Sequence, residues 1–200
     1  GCIVVNGSAV RSNYKVRPHD EIRLMLPRPK HDSSIVAEDI PIEVVYEDGA
    51  LMVVNKPAGM VVHPGAGNFH GTLINAIAWH LRDMSEFDPN DPEVGLVHRI
   101  DKDTSGLLIV AKNDTAHRHL AEQIKAHSFT REYRAVVYGK IREDGTVDAP
   151  IARHPQDRKR MAVQNTPNAR NAVTHYFVTK NFTGFTQLRL RLETGRTHQI

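Results

Sequence analysis

One cysteine, Cys2, stands in 200 residues. With no second thiol there can be no internal disulfide framework, which fits a reducing compartment. No apolar run approaches the roughly 20 residues a membrane-spanning helix needs. The N-terminus has no charged segment leading into an apolar core, so no signal peptide is read there. The expected setting is therefore cytoplasmic, away from membrane. Twelve histidines are present, but without a His-Glu-x-x-His pattern or a cysteine pair. His117 and His119 lie two apart on an expected helix and face different ways, so no metal site is expected. The Gly65–Gly71 stretch has neither dinucleotide-binding spacing nor a phosphate-loop lysine. Ser105 sits in Thr-Ser-Gly, not in the Gly-x-Ser-x-Gly of an esterase elbow.

What is present is an ordinary globular composition, 40% hydrophobic and 24% charged, sufficient for one sizeable domain or a domain plus a small module. The net charge of +3 is a weak argument for a polyanionic partner. The distribution says more. Residues 11–30 carry six Lys/Arg against two acids, and residues 152–170 carry five against one, Asp157. Residues 31–50 and 83–93 are acidic and lack Lys and Arg. Such segregation suits a polyanion lying along one face, although solvated surface loops would look the same. The chain begins without Met and stops mid-pattern at Thr197-His198-Gln199-Ile200, so it reads as a piece of a longer protein.

Residues 3–5 and 22–26 read as strands, with Asn6-Gly7 as a hairpin turn. Residues 28–39 are polar and read as a linker. Ile42–Tyr46 and Leu51–Asn55 read as paired strands around Glu47-Asp48-Gly49. Thr72–Met84 carries Leu73, Ile77 and Leu81 at helical spacing. Leu107–Ala111 is an unbroken apolar run, expected as a strand buried on both faces. Asp114 is the expected N-cap of a helix reaching about His127, with Ala116, Leu120 and Ile124 inward. Glu132–Lys140, Val173–Thr179 and Thr186–Thr194 follow as strands. In the last, Leu188, Leu190 and Leu192 alternate with Arg189, Arg191 and Glu193. Many strands and few helices, not in strict alternation, give an α+β fold.

Asp101 is the first candidate for chemistry, since burial and a neighbouring cation decide whether a carboxylate is charged. On its own it would pass for a turn residue, and Asp103, Thr104 and Ser105 serve a turn equally well. Arg99 and the Gly195-Arg196-Thr197-His198 segment raise its standing. Lys56-Pro57-Ala58-Gly59 reads as a structural loop. Tyr133 at the start of a strand reads as core unless a substrate ring stacks on it.

Four separated segments together resemble one family. They are Asn55-Lys56-Pro57-Ala58-Gly59-Met60-Val61-Val62-His63-Pro64, His98-Arg99-Ile100-Asp101-Lys102-Asp103-Thr104-Ser105-Gly106, Arg131-Glu132-Tyr133, and Leu192-Glu193-Thr194-Gly195-Arg196-Thr197-His198-Gln199-Ile200. They are similar to the motifs of RluA-type pseudouridine synthases, and most to the D-type branch that modifies large-subunit ribosomal RNA. The match runs in order over residues 40–200. Ile100 replaces the commoner Leu, a volume-conserving change.

The resemblance implies a mixed, largely antiparallel β-sheet catalytic domain with flanking helices over residues 40–200, its C-terminal end missing. Residues 1–27 resemble the later part of a small αL RNA-binding module, joined by the 28–39 linker. It implies Asp101 as the catalytic aspartate, Tyr133 beside the target base, and Arg196 as ion-pair partner of Asp101. Arg99 takes the place of the extruded uridine. His98, Lys56 and His63 join it in the RNA-binding set, with Arg153, Arg158, Lys159 and Arg160 from the basic stretch. The reaction gains and loses no atoms, so no cofactor is expected. The implied partner is large-subunit ribosomal RNA or its assembly precursor, bound by a monomer. Attack by Asp101 and an Asp101-driven elimination both stay open. The rivals are an inactive RNA-binding homologue, a metal hydrolase and a synthase acting on transfer RNA.

Overall fold

The structure, a computed structural model, describes residues 3–11, 13–24, 34–65, 67–91, 95–158 and 160–200. The chain divides into two compact units, one through Ser34 and one from Ile35. Met25 and Leu26 of the expected second strand, and residues 28–33 of the expected linker, lie outside the described residues.

The first unit is a small antiparallel sheet of β1 (Ile3–Val5), β2 (Ser8–Ala9) and β3 (Ile22–Leu24), in the order β2-β1-β3. Asn6 and Gly7 both have positive φ, 51° and 79°, which is what a two-residue hairpin turn matching strand twist requires. The Asn6 side chain also ties the distant arm. Its Nδ2 donates to Asp20 at 2.8 Å, and its Oδ1 accepts the Glu21 N–H at 2.9 Å.

The second unit holds two four-stranded antiparallel sheets. The first contains β4 (Glu43–Glu47), β5 (Leu51–Lys56), β6 (Gly95–Leu96) and β7 (Gly106–Ala111), in the order β4-β5-β7-β6. The second contains β8 (Arg131–Tyr138), β9 (Gly145–Asp148), β12 (Val173–Phe182) and β13 (Phe185–Leu192), in the order β8-β13-β12-β9. Between them in sequence, β10 (Ile151–Arg153) and β11 (Met161–Val163) form a separate hairpin. Two helices, α1 (Leu73–His80) and α2 (Asp114–Lys125), complete it. The architecture is the α+β arrangement expected. Among the described residues no helix is long and apolar enough to cross a membrane.

Period-two alternation places the core. Met52 and Val54 of β5 and Leu108 and Val110 of β7 point inward and are fully buried against Leu73, Ile74 and Ile77 of α1. Leu107 points away and is 58% exposed, so β7 is covered fully on one face only, not on two as its unbroken apolar run implied. An apolar run reports tolerance of burial, and on the Leu107 face cover is partial, with Ala111 fully buried and Ile109 half-buried.

Helix α1 is shorter than its periodicity, with Leu81 as C-cap. Its start is anchored from outside. Leu73 N–H and Ile74 N–H donate to the Val61 and Val62 carbonyls at 2.8 and 3.1 Å, satisfying donors that no helix can satisfy itself. Asn75, buried, accepts from the Thr72 N–H at 3.0 Å and the Thr72 hydroxyl, and donates to the Val36 carbonyl at 2.7 Å. Glu38 N–H also reaches the Asn75 carbonyl. Val36 and Glu38, within the segment expected as linker, are thus fastened to α1. Helix α2 is capped by Asn113, whose side chain accepts the Ala116 N–H at 2.9 Å, and not by Asp114. Asp114 instead supplies negative charge to the first turn, where the helix dipole favours it.

Asn75→Ala should destabilise the protein by about 1–3 kcal/mol, because it strands the Thr72 N–H and the Val36 carbonyl in a buried place. Urea unfolding monitored by circular dichroism measures it. A midpoint equal to wild type would show that water replaces the amide without loss.

Candidate active site

The site is assembled at the ends of β5 and β7. Alternation along β5 turns its last residue, Lys56, into the core, where the side chain is fully buried. Its ammonium donates to three carbonyls, Pro57 O at 2.8 Å, Met60 O at 2.8 Å and Lys102 O at 2.9 Å. An ammonium has three protons, so all are used. The Gly59 N–H donates to the same Lys102 carbonyl at 2.8 Å. Gly59 reaches it with φ of 86°, a conformation glycine takes without steric cost. The Lys56–Met60 turn and the Asp101–Thr104 turn are stapled together, with Asp101 on the second.

This corrects the expectation that Lys56 contacts RNA, since no proton and no exposed surface remain for a phosphate. Burial pushes its ammonium down, and the charges of Asp103 and Asp101 oppose that shift. The lysine is therefore within electrostatic reach of the candidate catalytic carboxylate, from below the turn.

Asp101 is held from both sides. Ile100 beside it is buried in the core cluster, and the Asp101 carbonyl accepts the Thr104 N–H at 3.1 Å. The carboxylate itself is partly exposed. His98, three residues earlier, is half-buried, and its Nε2 accepts the Ile109 backbone N–H at 3.0 Å. That bond requires the neutral ring with its proton on Nδ1. Burial and then the charge of Arg131 hold the imidazole below its usual range. His98 thus pins the Asp101 segment onto β7 through Nε2.

Arg99 points outward and is exposed. It lies close enough to His63 for its charge to depress that imidazole, after the larger effect of crowding by protein atoms. These two expected residues are brought together. Tyr133 projects from the inner face of β8, half-buried against the core. Burial raises its phenol above the ordinary value, the Arg131 charge opposes, and the Asp101 charge adds to the rise. Asp101 and Tyr133 are therefore neighbours across the site, and the phenol is protonated at neutral pH.

Arg196 does not meet Asp101. Its Nε donates to the Asn171 carbonyl at 2.8 Å, and its backbone N–H to Gln199 Oε1 at 2.8 Å. Among the described residues no ion pair links it to Asp101. The arginine placed beside the site is Arg131, two residues before Tyr133 on the same strand face. One of its Nη atoms donates to the Glu193 carbonyl at 2.8 Å and meets His127 Nδ1 at 3.1 Å. The guanidinium lies over Gly195, where an added Cβ would come within 2.5 Å of Nη1. Period two could have identified Arg131, because residues i and i+2 of a strand share a face.

The basic stretch forms the β10–β11 hairpin. Arg153, Arg158 and Arg160 are exposed, and Arg153 Nη1 donates to the Arg158 carbonyl at 3.0 Å. Lys159 lies outside the described residues. No contact joins the three described arginines to Asp101. Among the described residues no cluster of three or more His, Cys, Asp or Glu could hold a metal.

Lys56→Met should cost on the order of 3 kcal/mol, since it leaves buried carbonyls without donors. It should leave unchanged the salt dependence of RNA binding, whose slope counts phosphate contacts; a slope lower by about one would return Lys56 to the RNA-binding set. His98 sets a pH dependence. Its folded value is depressed, so the folded protein binds fewer protons than the unfolded chain just below the unfolded value of about 6.5. Its contribution is complete above that value and is lost as pH falls through the folded one. His98→Gln should show a flatter fall in stability from pH 7 to 5 than wild type, and identical slopes would contradict the His98–Ile109 tie.

A family model described as RNA pseudouridylate synthase matches residues 50–200. The chain is 50% identical over 201 residues to "Uncharacterized RNA pseudouridine synthase YlyB" of Bacillus subtilis, covering 100% of this chain and 65% of that protein. It is 47% identical over 199 residues to "Ribosomal large subunit pseudouridine synthase D" of Nitrosomonas europaea, covering 100% of this chain and 56% of that one. It thus spans less than two thirds of the length of these relatives. Among solved structures, "Human RNA Pseudouridylate Synthase Domain Containing 1" shares the fold, with TM-score 0.64 and 22% identity over 82% of this chain and 64% of that one. With the Asp101 turn, Tyr133 and the matched segments in one unit, the chain belongs to the RNA pseudouridylate synthase family.

Proposed function

We propose that this protein isomerises specific uridines in RNA to pseudouridine, and that its substrate is large-subunit ribosomal RNA. The observation that carries the reading is the carboxylate of Asp101, presented partly exposed on a turn stapled from beneath by Lys56, with Tyr133 facing it. The names of relatives at 45–47% identity, ribosomal large subunit pseudouridine synthases D, support the substrate class. A cytoplasmic setting goes with that substrate.

A stacked uridine hides C1′ and C6, so it has to leave the stack, at a cost of a few kcal/mol. Arg99, exposed on the same segment as Asp101, fills the vacated place and meets phosphate, with His63 beside it. The extruded base enters next to Tyr133, whose ring supplies a stacking face. Its raised phenol makes it a hydroxyl donor at neutral pH and not a base. Asp101, as the carboxylate, either attacks the sugar or base or takes a sugar proton in an elimination. The N1–C1′ bond breaks, the base turns, C5 bonds to C1′ and loses its proton to solvent, and N1 ends carrying a proton. The basic hairpin with Arg153, Arg158 and Arg160 binds backbone phosphates. Lys56 and Arg131 provide the positive charge near the site that the resemblance assigned to Arg196.

Asp101→Asn should lower turnover by roughly 10³-fold or more while RNA affinity stays near wild type. Tritium release from C5-labelled uridine in ribosomal RNA measures the first, and filter binding the second. Substantial release by the Asn variant would remove Asp101 from the chemistry.

A further inference from the structure

The second sheet has a face that the site does not use. Ladder partners in antiparallel strands share a face, so the register sorts the side chains. Leu188, Leu190 and Leu192 of β13 pair with Ala135, Tyr133 and Arg131 of β8 on the inner face. The opposite face carries four rows across the strands, the last being Glu132, Arg191 and His175. The first is Tyr138, Phe185 and Phe182, the second Val136, Gln187 and Lys180, the third Arg134, Arg189 and Phe177. The extra residue at Thr179 in β12 is what turns Lys180 and Phe182 outward.

This face is open. Tyr138 is 87% exposed and Val136 64%, and Phe182 and Phe185 are each exposed by 40% or more. Apolar rings so displayed on a sheet mark an interaction site more than chance. The Tyr138 and Phe185 rings lie 5.1 Å apart, tilted by 39°. Cations interleave with the rings. Lys180 sits 5.0 Å over Phe182, and Arg189 4.5 Å over Phe177. Two acids on this face are engaged, Glu132 with Arg189 at 3.3 Å and Glu193 with His175 at 2.6 Å, and a third, Asp148 opposite Val173 on β9, is exposed. Arg134 and Arg191 are exposed and have no ion-pair partner among the described residues.

We propose that this outer face of the β8-β13-β12-β9 sheet is a second RNA-binding surface, which holds a single-stranded segment flanking the modified site. Bases stack on Tyr138 and Phe185, and phosphates meet Arg134, Arg189 and Lys180. Four residues of strand, about 14 Å, separate the ring of Tyr138 from Arg134, so bases and backbone are read at opposite ends of one β8 track. Along β8 and β13 the unpaired cations Arg134 and Arg191 favour a polyanion over a neutral protein partner. Stacking on rings is tolerant of sequence, which suits a surface that lengthens the footprint and leaves the choice of uridine to the Asp101 site. The proposal rests on RNA being the substrate.

The probe is a labelled oligoadenylate of roughly 15 nucleotides, which offers the Asp101 site no uridine. Wild type should bind it. Tyr138→Ala should weaken binding about tenfold, and Arg134→Ala should lower the salt slope by about one. Tritium release from a minimal stem-loop should be unchanged in both, which also reports that they fold. Unchanged affinity and slope in the two variants would overturn the proposal. So would a change in oligomeric state on Tyr138→Ala with oligoadenylate binding intact, which would make the face a protein interface. Lack of tritium release by wild type would count against the uridine chemistry, and the oligoadenylate result would still decide this surface.

Discussion

The buried ammonium of Lys56 is the interaction on which the site depends. A charge in an apolar core is unfavourable unless hydrogen bonds replace its water, and three carbonyls do so here, one of them 46 residues away in sequence. The constraint acts in both directions. The carbonyls of the Lys56–Met60 turn and of Lys102 face inward because a cation is there. With those carbonyls inward, the backbone next to Lys102 is defined and Asp101 is left on the outer side of its turn. A neutral side chain offers at most two N–H donors, and the three of an ammonium match the three carbonyls.

Around that staple, the remaining parts limit movement in different ways. Ile100 roots the Asp101 segment in the core, and His98 ties it to β7 through the Ile109 N–H. Val61 and Val62 carry the first turn onto the N-terminus of α1, so the helix and the catalytic turn share one support. Tyr133 arrives from the second sheet and packs against the same core. A catalytic carboxylate gains from such rigid mounting, because misplacement of a reacting group lowers the rate steeply. The residues left exposed, Arg99 and the arginines of the β10–β11 hairpin, are those proposed to meet RNA.

The fold was legible wherever one local rule governed. Asn6-Gly7 marks its hairpin because two positive φ angles in succession suit those residues. Leu188, Leu190 and Leu192 mark β13 because alternation follows from strand geometry. Short strands without such a signal, Gly145–Asp148 and the β10–β11 pair, were not read. Their residues are held by cross-strand partners, which sequence does not display. Leu107–Ala111 was recognised as a strand, yet its second face is open at Leu107, since cover is supplied by other elements. Asn113 took the cap expected of Asp114, because either side chain can cap and one residue of offset decides.

By itself, the sequence determined which residue types were available: the acid at 101, the ring at 133, the cations at 56, 99, 131 and 196. The ordered segments were enough to indicate the family. Which cation serves which partner was decided only by tertiary structure. Lys56 moved from expected RNA contact to buried staple because strand alternation points it inward. Arg196 found the Asn171 carbonyl, while Arg131 came to lie beside Tyr133 and over Gly195. A long cationic side chain has many acceptors within reach of its several rotamers, and its charge does not discriminate among them. The folded backbone does, by placing particular carbonyls and carboxylates at hydrogen-bond distance and burying them from water.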